Sequence, residues 1–150
     1  MRLVIQRVSR ASVAINNQLH DSIGAGLVVL TGIEEADDES DIDYLAQKLC
    51  ALRIFSDEVG KMNLDISQSR GELLIVSQFT LHAFTRKGNR PSFIRAARPE
   101  KAIPMYEQFI SKCGSLLGKP CHQGVFGADM SLELVNNGPV TIIMDSRNRE

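Results

Sequence analysis

Ser77, Gln78, Phe79, Thr80 and Leu81 follow directly on an apolar run, Leu73 to Val76, and set hydroxyls and an amide at the end of a strand-like segment. Such groups on a rigid support suit a small polar substrate. A second segment, Asn136, Asn137, Gly138, Pro139, Val140 and Thr141, places a Gly-Pro pair where one strand is expected to stop and the next to begin. Glycine admits backbone conformations closed to other residues, and proline fixes φ and removes a donor. A turn built on the pair therefore aims main-chain carbonyls at a ligand with little freedom to move. Ser77, Thr80 and His82 also invite a search for a nucleophile and its base. Strand alternation puts Thr80 and His82 on one face if the strand extends that far, but no carboxylate nearby in sequence would orient the imidazole. His82 reads as a surface histidine at a strand end, and His20 and His122 are equally isolated.

The elements that must carry these segments are legible in outline. Leu3 to Val8, Ser12 to Ile15 and Leu27 to Ile33 read as strands, punctuated by Asn16, Asn17, Gly24, Gly26 and Gly32, which predicts an antiparallel start. Ile42, Leu45, Leu49 and Leu52 recur at helical spacing over Ser40 to Leu52. Asp37, Asp38, Glu39, Asp41 and Asp43 stand at its front and Lys48 and Arg53 at its back, an order that suits the helix dipole and reads as a solvated helix start. Asp57 to Ser69 is a polar loop, Leu73 to Phe79 a strand, and Thr85 to Pro99 a long connection of a kind often tied to function. Pro99 opens a second helix to about Leu117, with Ala102, Tyr106, Phe109, Ile110, Cys113 and Leu117 on one face. Strands near Cys121 to Val125, Ser131 to Val135 and Val140 to Met144 complete the chain, and Asp145 to Glu150 reads as a polar tail. The order predicts an α+β fold, a curved and mostly antiparallel sheet or barrel with two helices packed outside.

Composition narrows the function classes. A chain of 150 residues is one ordinary domain, here residues 1–150, able to bury a core without disulfide or metal. A formal charge of −1 excludes a globally basic nucleic-acid binder, so any RNA contact is local. The best such locality is Arg86, Lys87, Arg90, Arg95, Arg98 and Lys101, with only Glu100 against them; this run reads equally as a solvated loop. Cys50, Cys113 and Cys121 show no CxxC spacing and read as reduced thiols. No stretch is long enough to span a bilayer, and Arg7 and Arg10 interrupt the N-terminal apolar run, so the expected location is cytoplasmic, with no membrane contact.

The motifs, taken together, resemble the D-aminoacyl-tRNA deacylase family. Besides the two opening segments, the likeness runs through Met1 to Val8, Arg53-Ile54-Phe55, Gly60-Lys61-Met62-Asn63, Lys87 to Phe93 and Phe126-Gly127-Ala128-Asp129-Met130. Phe84, Asn137 and Gln123 depart from it, standing where an acidic residue, an aspartate and a threonine are usual. The resemblance implies hydrolysis of the ester of D-aminoacyl-tRNA, and of the achiral glycyl ester, by a homodimer that needs no metal and no organic cofactor. It implies a cis Gly138–Pro139 bond, entering the partner's active site and excluding L side chains with two carbonyl oxygens. On base rates alone that bond reads as trans.

The resemblance also implies roles for Arg7, which would support the Gly-Pro segment, and for Phe126 and Met130, which would line the terminal-adenosine pocket. Read without it, Phe126 and Met130 are core and Arg7 a strand-edge charge. For the chemistry, the ester is already activated and has a ribose hydroxyl beside it. Backbone N–H groups at Phe79 and Thr80 would stabilise the oxyanion while Ser77 and Gln78 fix the ribose or adenine. Thr80 as nucleophile is the second reading, and a structural hydroxyl the third. Arg86, Lys87 and Arg90 are the candidate contacts to tRNA phosphates. A sister deacylase of relaxed chirality and a non-catalytic tRNA-binding module are the competing functions.

Overall fold

The computed structural model describes residues 1–149. Its chain begins with β1 (Arg2–Ile15), β2 (Gln18–Ile23) and β3 (Gly26–Gly32); β2 pairs antiparallel with the second half of β1 and β3 with its first half in the same register, so the two return along β1 end to end. Asn16 and Asn17 both take left-handed backbone (φ 51° and 61°), the geometry that a tight hairpin needs. The two strands expected over residues 3–15 are one continuous strand, and β2 is an element that the polar stretch 18–22 concealed.

Helix α1 (Glu39–Ala51) starts on a capping box between Asp38 and Asp41 and buries Ile42, Leu45, Ala46 and Leu49. Its acidic front is only partly solvated. Asp37 and Asp41 are buried, and Asp37 is ion-paired with the Met1 amine and with Arg147. β4 (Phe55–Ser56), just ahead of the expected polar loop, and β5 (Met62–Leu64), inside it, form a small antiparallel pair. The chain then enters β6 (Glu72–Ser77), which runs parallel to β3. Helix α2 (Pro99–Leu117) follows, with Pro99 in its first turn and Gly118 in left-handed conformation as its cap. β7 (His122–Gln123) adds parallel to β6, and β8 (Met130–Asp145) pairs antiparallel with β1 along its length. The sheet is mostly antiparallel, as expected, and becomes mixed through its parallel β3–β6–β7 side, because α1 and α2 each carry the chain back across it before the next strand.

The sheet curls until its ends nearly meet. Asp21 on β2 holds the His122 imidazole at 2.6 Å and the Gln123 amide at 3.1 Å, and Gly24 N–H donates to Glu72. β3 alternates accordingly: Leu27 and Val29 face the helices, whereas Val28 and Leu30 face the interior of the curl with Val8, Val13, Leu74 and Val76.

The strands expected at 131–135 and 140–144 are one strand, β8, which passes through Gly138–Pro139 without a turn. Gln6 pairs with Thr141 and Val8 with Asn136, so residues 137–140 bulge out opposite Arg7 alone. Among the described residues β8 has β1 as its only strand partner, so its other edge is open and a proline without an N–H is tolerated there. The expected polar tail is tied down. Ser146 is buried against Met1 and Arg149 stacks on the Tyr44 ring at 3.8 Å, while Glu150 lies outside the described residues. No described helix is long and apolar enough to cross a membrane.

Candidate active site

β3 and β6 end side by side, Thr31 beside Ser77, and the crevice beyond these parallel carboxyl ends is where open α/β arrangements place ligands. It holds a cavity of about 320 Å³ whose lining includes Thr31, Ser77, Gln78, Phe79, Phe126 and Met130. The structure thus brings together five residues singled out from sequence. Phe126 and Met130 are half-buried, so they are wall rather than sealed core.

The strand stops at Ser77 and does not reach Phe79. Gln78 leaves the sheet (φ −148°, ψ 84°), and Phe79–His82 form a 3₁₀ turn. Gln78 N–H donates to Thr31 O at 2.8 Å, Leu81 N–H to Gln78 O at 3.3 Å, and Ala83 N–H to Thr80 O at 3.1 Å. The amides of Phe79 and Thr80 open the turn, where helical bonding leaves donors without a partner inside it. Gly32 lets the turn lie close on β3, since a Cβ there would meet Leu81 Cβ at 2.9 Å and Gln78 O at 3.1 Å. Thr80 is directed away from the cavity. It lines a neighbouring depression with Arg2, Tyr44 and Leu81, and its hydroxyl accepts a hydrogen bond from the Gln78 amide.

The turn also corrects the expectation for His82. It is buried, 3% exposed, with Nδ1 3.9 Å from a Glu34 carboxylate oxygen and neither ring nitrogen hydrogen-bonded. It shares no strand face with Thr80 and is no surface residue.

Arg7 is also buried, and its guanidinium is spent on main chain beneath the β8 bulge. Nε donates to Asn137 O at 3.0 Å and Nη1 to Ile54 O at 2.5 Å. Gly138 above it has φ +129°, and the Gly138–Pro139 peptide is cis. Asn136, Asn137, Gly138 and Pro139 are exposed, and none of them lines this chain's own cavity.

The long connection is closed by mutual main-chain bonds between Phe84 and Ser92, which leave Arg86, Lys87 and Arg90 exposed at its tip. Phe93 packs edge-on to Phe79 with centroids 5.1 Å apart and so ties the loop to the turn. Arg95 is paired with Glu34 at 2.7 Å and Lys101 bonds Glu35 O, which takes both out of the basic cluster. Among the described residues no group of three or more His, Cys, Asp or Glu is placed to hold a metal.

Over residues 4–145 the chain matches the family described as D-Tyr-tRNA(Tyr) deacylase. The chain belongs to that family. A D-aminoacyl-tRNA deacylase of Akkermansia muciniphila is 61% identical over 150 residues and one of Cytophaga hutchinsonii 59%, each across 100% of both chains. Among solved structures, the c-Myc DNA Unwinding Element Binding Protein superposes with a TM-score of 0.91 at 36% identity, covering 97% of this chain and 98% of its own. A probable eukaryotic D-amino acid tRNA deacylase superposes with a TM-score of 0.82 at 15% identity over 95% and 97% of the two chains, a likeness of fold alone. Membership brings the family's reaction, hydrolysis of D-aminoacyl-tRNA, and makes tRNA the substrate partner.

In this deacylase the burial of His82 holds its pKa below the ordinary histidine value, against the weaker pulls of the nearby Gly32 main chain and then of Glu34. A depressed folded-state pKa means that the unfolded chain binds the proton more readily. Stability is then complete above about pH 6.5 and falls as pH drops from there towards the folded value. Between about pH 7.5 and about pH 5.5, the urea midpoint of the wild type is expected to fall further than that of His82→Gln. Equal slopes would show that His82 is not the group responsible.

Proposed function

We propose that the deacylase is a chiral proofreader that works by positioning, without a protein nucleophile. The observation that supports this best is the division at the strand end. Ser77, Gln78 and Phe79 share a cavity with Phe126 and Met130, while the Thr80 hydroxyl lines a different depression and accepts a hydrogen bond from the Gln78 side chain. In this reading Phe126 and Met130 hold the terminal adenosine, and Ser77 and Gln78 fix its ribose. Water adds to the ester carbonyl carbon with the vicinal ribose hydroxyl beside it, and the amides of Phe79 and Thr80 receive the oxyanion. The carbonyl–oxygen bond to the ribose then breaks, the proton given up by water passes to the ribose oxygen, and the free amino acid leaves. An ester already activated for attack calls for no metal or organic cofactor.

Gly138 and Pro139 act as the chiral screen, presenting carbonyl oxygens that leave room for hydrogen and exclude an L side chain. The glycyl ester passes the same screen. Because this pair lies outside its own chain's cavity, it serves a second copy, and the working unit is a homodimer. The open edge of β8 and the exposure of Val135 and Ile143 on it support that assembly. Arg86, Lys87 and Arg90 contact tRNA phosphates, and the protein acts in the cytoplasm as a single domain per chain.

The test is hydrolysis of matched D-tyrosyl-, L-tyrosyl- and glycyl-tRNA by wild type and Thr80→Ala. The D and glycyl esters are expected to be cleaved and the L ester spared, with Thr80→Ala within about tenfold of wild type. Loss of all turnover in Thr80→Ala with tRNA binding intact would make Thr80 the nucleophile. Binding without hydrolysis in the wild type would leave a tRNA-binding module.

A further inference from the structure

We propose that Thr31 is a substrate-binding residue, whose hydroxyl hydrogen-bonds the polar edge of the ring that fills the cavity. β3 is otherwise apolar from Leu27 to Leu30, and the hydroxyl interrupts it where the strand reaches the site. Thr31 is 2% exposed, and its Oγ1 has no hydrogen-bond partner. Leaving a buried hydroxyl unpaired forfeits its hydrogen bonds to water with nothing in return, so folded proteins seldom do so without a reason. The other such atoms among the described residues are the two ring nitrogens of His82, which does not line the cavity. Thr31 does line it, and its main chain already holds the catalytic segment through the Gln78 amide.

The surroundings indicate the chemical class of the ligand. Leu30, Val76, Phe126, Met130 and Leu132 give the cavity apolar walls, and an isolated hydroxyl in such a setting fixes orientation rather than charge. A planar heteroaromatic ring with donors and acceptors on its edge fits those walls, and a threonine hydroxyl pairs with either kind of group. The inference rests on the reading of this cavity as the terminal-adenosine pocket, and makes Thr31 the residue that reads the base edge there.

Thr31→Val keeps the shape and removes the hydroxyl, and Thr31→Ser keeps the hydroxyl. KM and kcat for D-tyrosyl-tRNA, the dissociation constant of adenosine 5′-monophosphate from an NMR titration, and the thermal midpoint of the free protein are to be measured for each. Thr31→Val is expected to raise KM and weaken the nucleotide about tenfold, with kcat little changed and the free protein at least as stable as wild type. Thr31→Ser is expected to restore binding. Unchanged KM and nucleotide affinity in Thr31→Val would overturn the proposal, as would a strong loss of stability in the free protein, which would reveal a structural partner. If the wild type hydrolyses none of the esters, the deacylase reading fails by itself, and the nucleotide titration still decides the role of Thr31. Failure of the wild type to bind the nucleotide would overturn it.

Discussion

Replacing Gly138 by alanine is expected to lower kcat/KM for D-tyrosyl-tRNA by about 10²-fold while leaving a folded protein. Two independent obstacles meet at this residue. Its φ of +129° lies where L side chains are strained, at a cost of about 1–3 kcal/mol. An added Cβ would also sit 2.9 Å from Arg7 Nη2 and 2.9 Å from Val140 Cγ2. Arg7 does not yield easily, because it is buried and already bonded to Asn137 O and Ile54 O, and the Val140 backbone N stands 3.1 Å from the added carbon. The bulge must shift, and with it the carbonyls proposed to face the substrate of the second copy. A displacement of about 1 Å in a positioning group suffices for a loss of that size. Gly60→Ala is the control for strain alone: φ there is +80°, no atom lies within 4 Å of the added carbon, and activity is expected to stay at the wild-type level. Wild-type turnover and an unchanged D to L ratio in Gly138→Ala would remove this segment from the active site.

What could be read from sequence were the features in which local pattern and final environment agree. α2 is observed from Pro99 to Leu117 as expected, because its apolar face and its proline act within a few residues of themselves. The end of β6 at a polar segment was legible for the same reason, although the strand stops at Ser77, two residues short of the expected Phe79. Features set by distant partners were not legible. The Gly-Pro pair carries every local mark of a turn, yet pairing with β1 on both sides holds it inside β8. Asp37 belongs to a solvated helix start by sequence, and only the return of Arg147 shows it to be buried and paired. His82 is hidden by a turn that Gly32, on another strand, makes possible. In the candidate site Thr31 was missed, although the signal, one hydroxyl in an apolar strand, was present. Its position beside Ser77 depends on parallel pairing across an intervening helix, which no local pattern encodes.

That pairing is also where a single methyl group should do most damage. Gly26 lies opposite Glu72 at the start of the parallel ladder, and a Cβ on it would come within 2.0 Å of Glu72 O, 2.7 Å of its N and 2.8 Å of its C. All three are backbone atoms, so no rotamer change relieves the overlap, and Glu72 N–H is itself bonded to Ala25 O at 3.1 Å. Gly26→Ala is therefore expected to destabilise by about 3 kcal/mol or more, at the upper end of overpacking effects, read as a lower urea midpoint. Gly24→Ala, two residues earlier, would meet only the side-chain Glu72 Oε2 at 3.7 Å, an ordinary van der Waals contact, and should change stability by less than about 0.5 kcal/mol. The ladder that opens at Gly26 and Glu72 closes at Thr31 and Ser77, so strands forced apart at one end carry the cavity floor with them at the other. Folded Gly26→Ala protein should thus also bind adenosine 5′-monophosphate more weakly than wild type. A wild-type midpoint in Gly26→Ala would mean that β3 and β6 do not approach this closely, and the site's dependence on their register would fall with it.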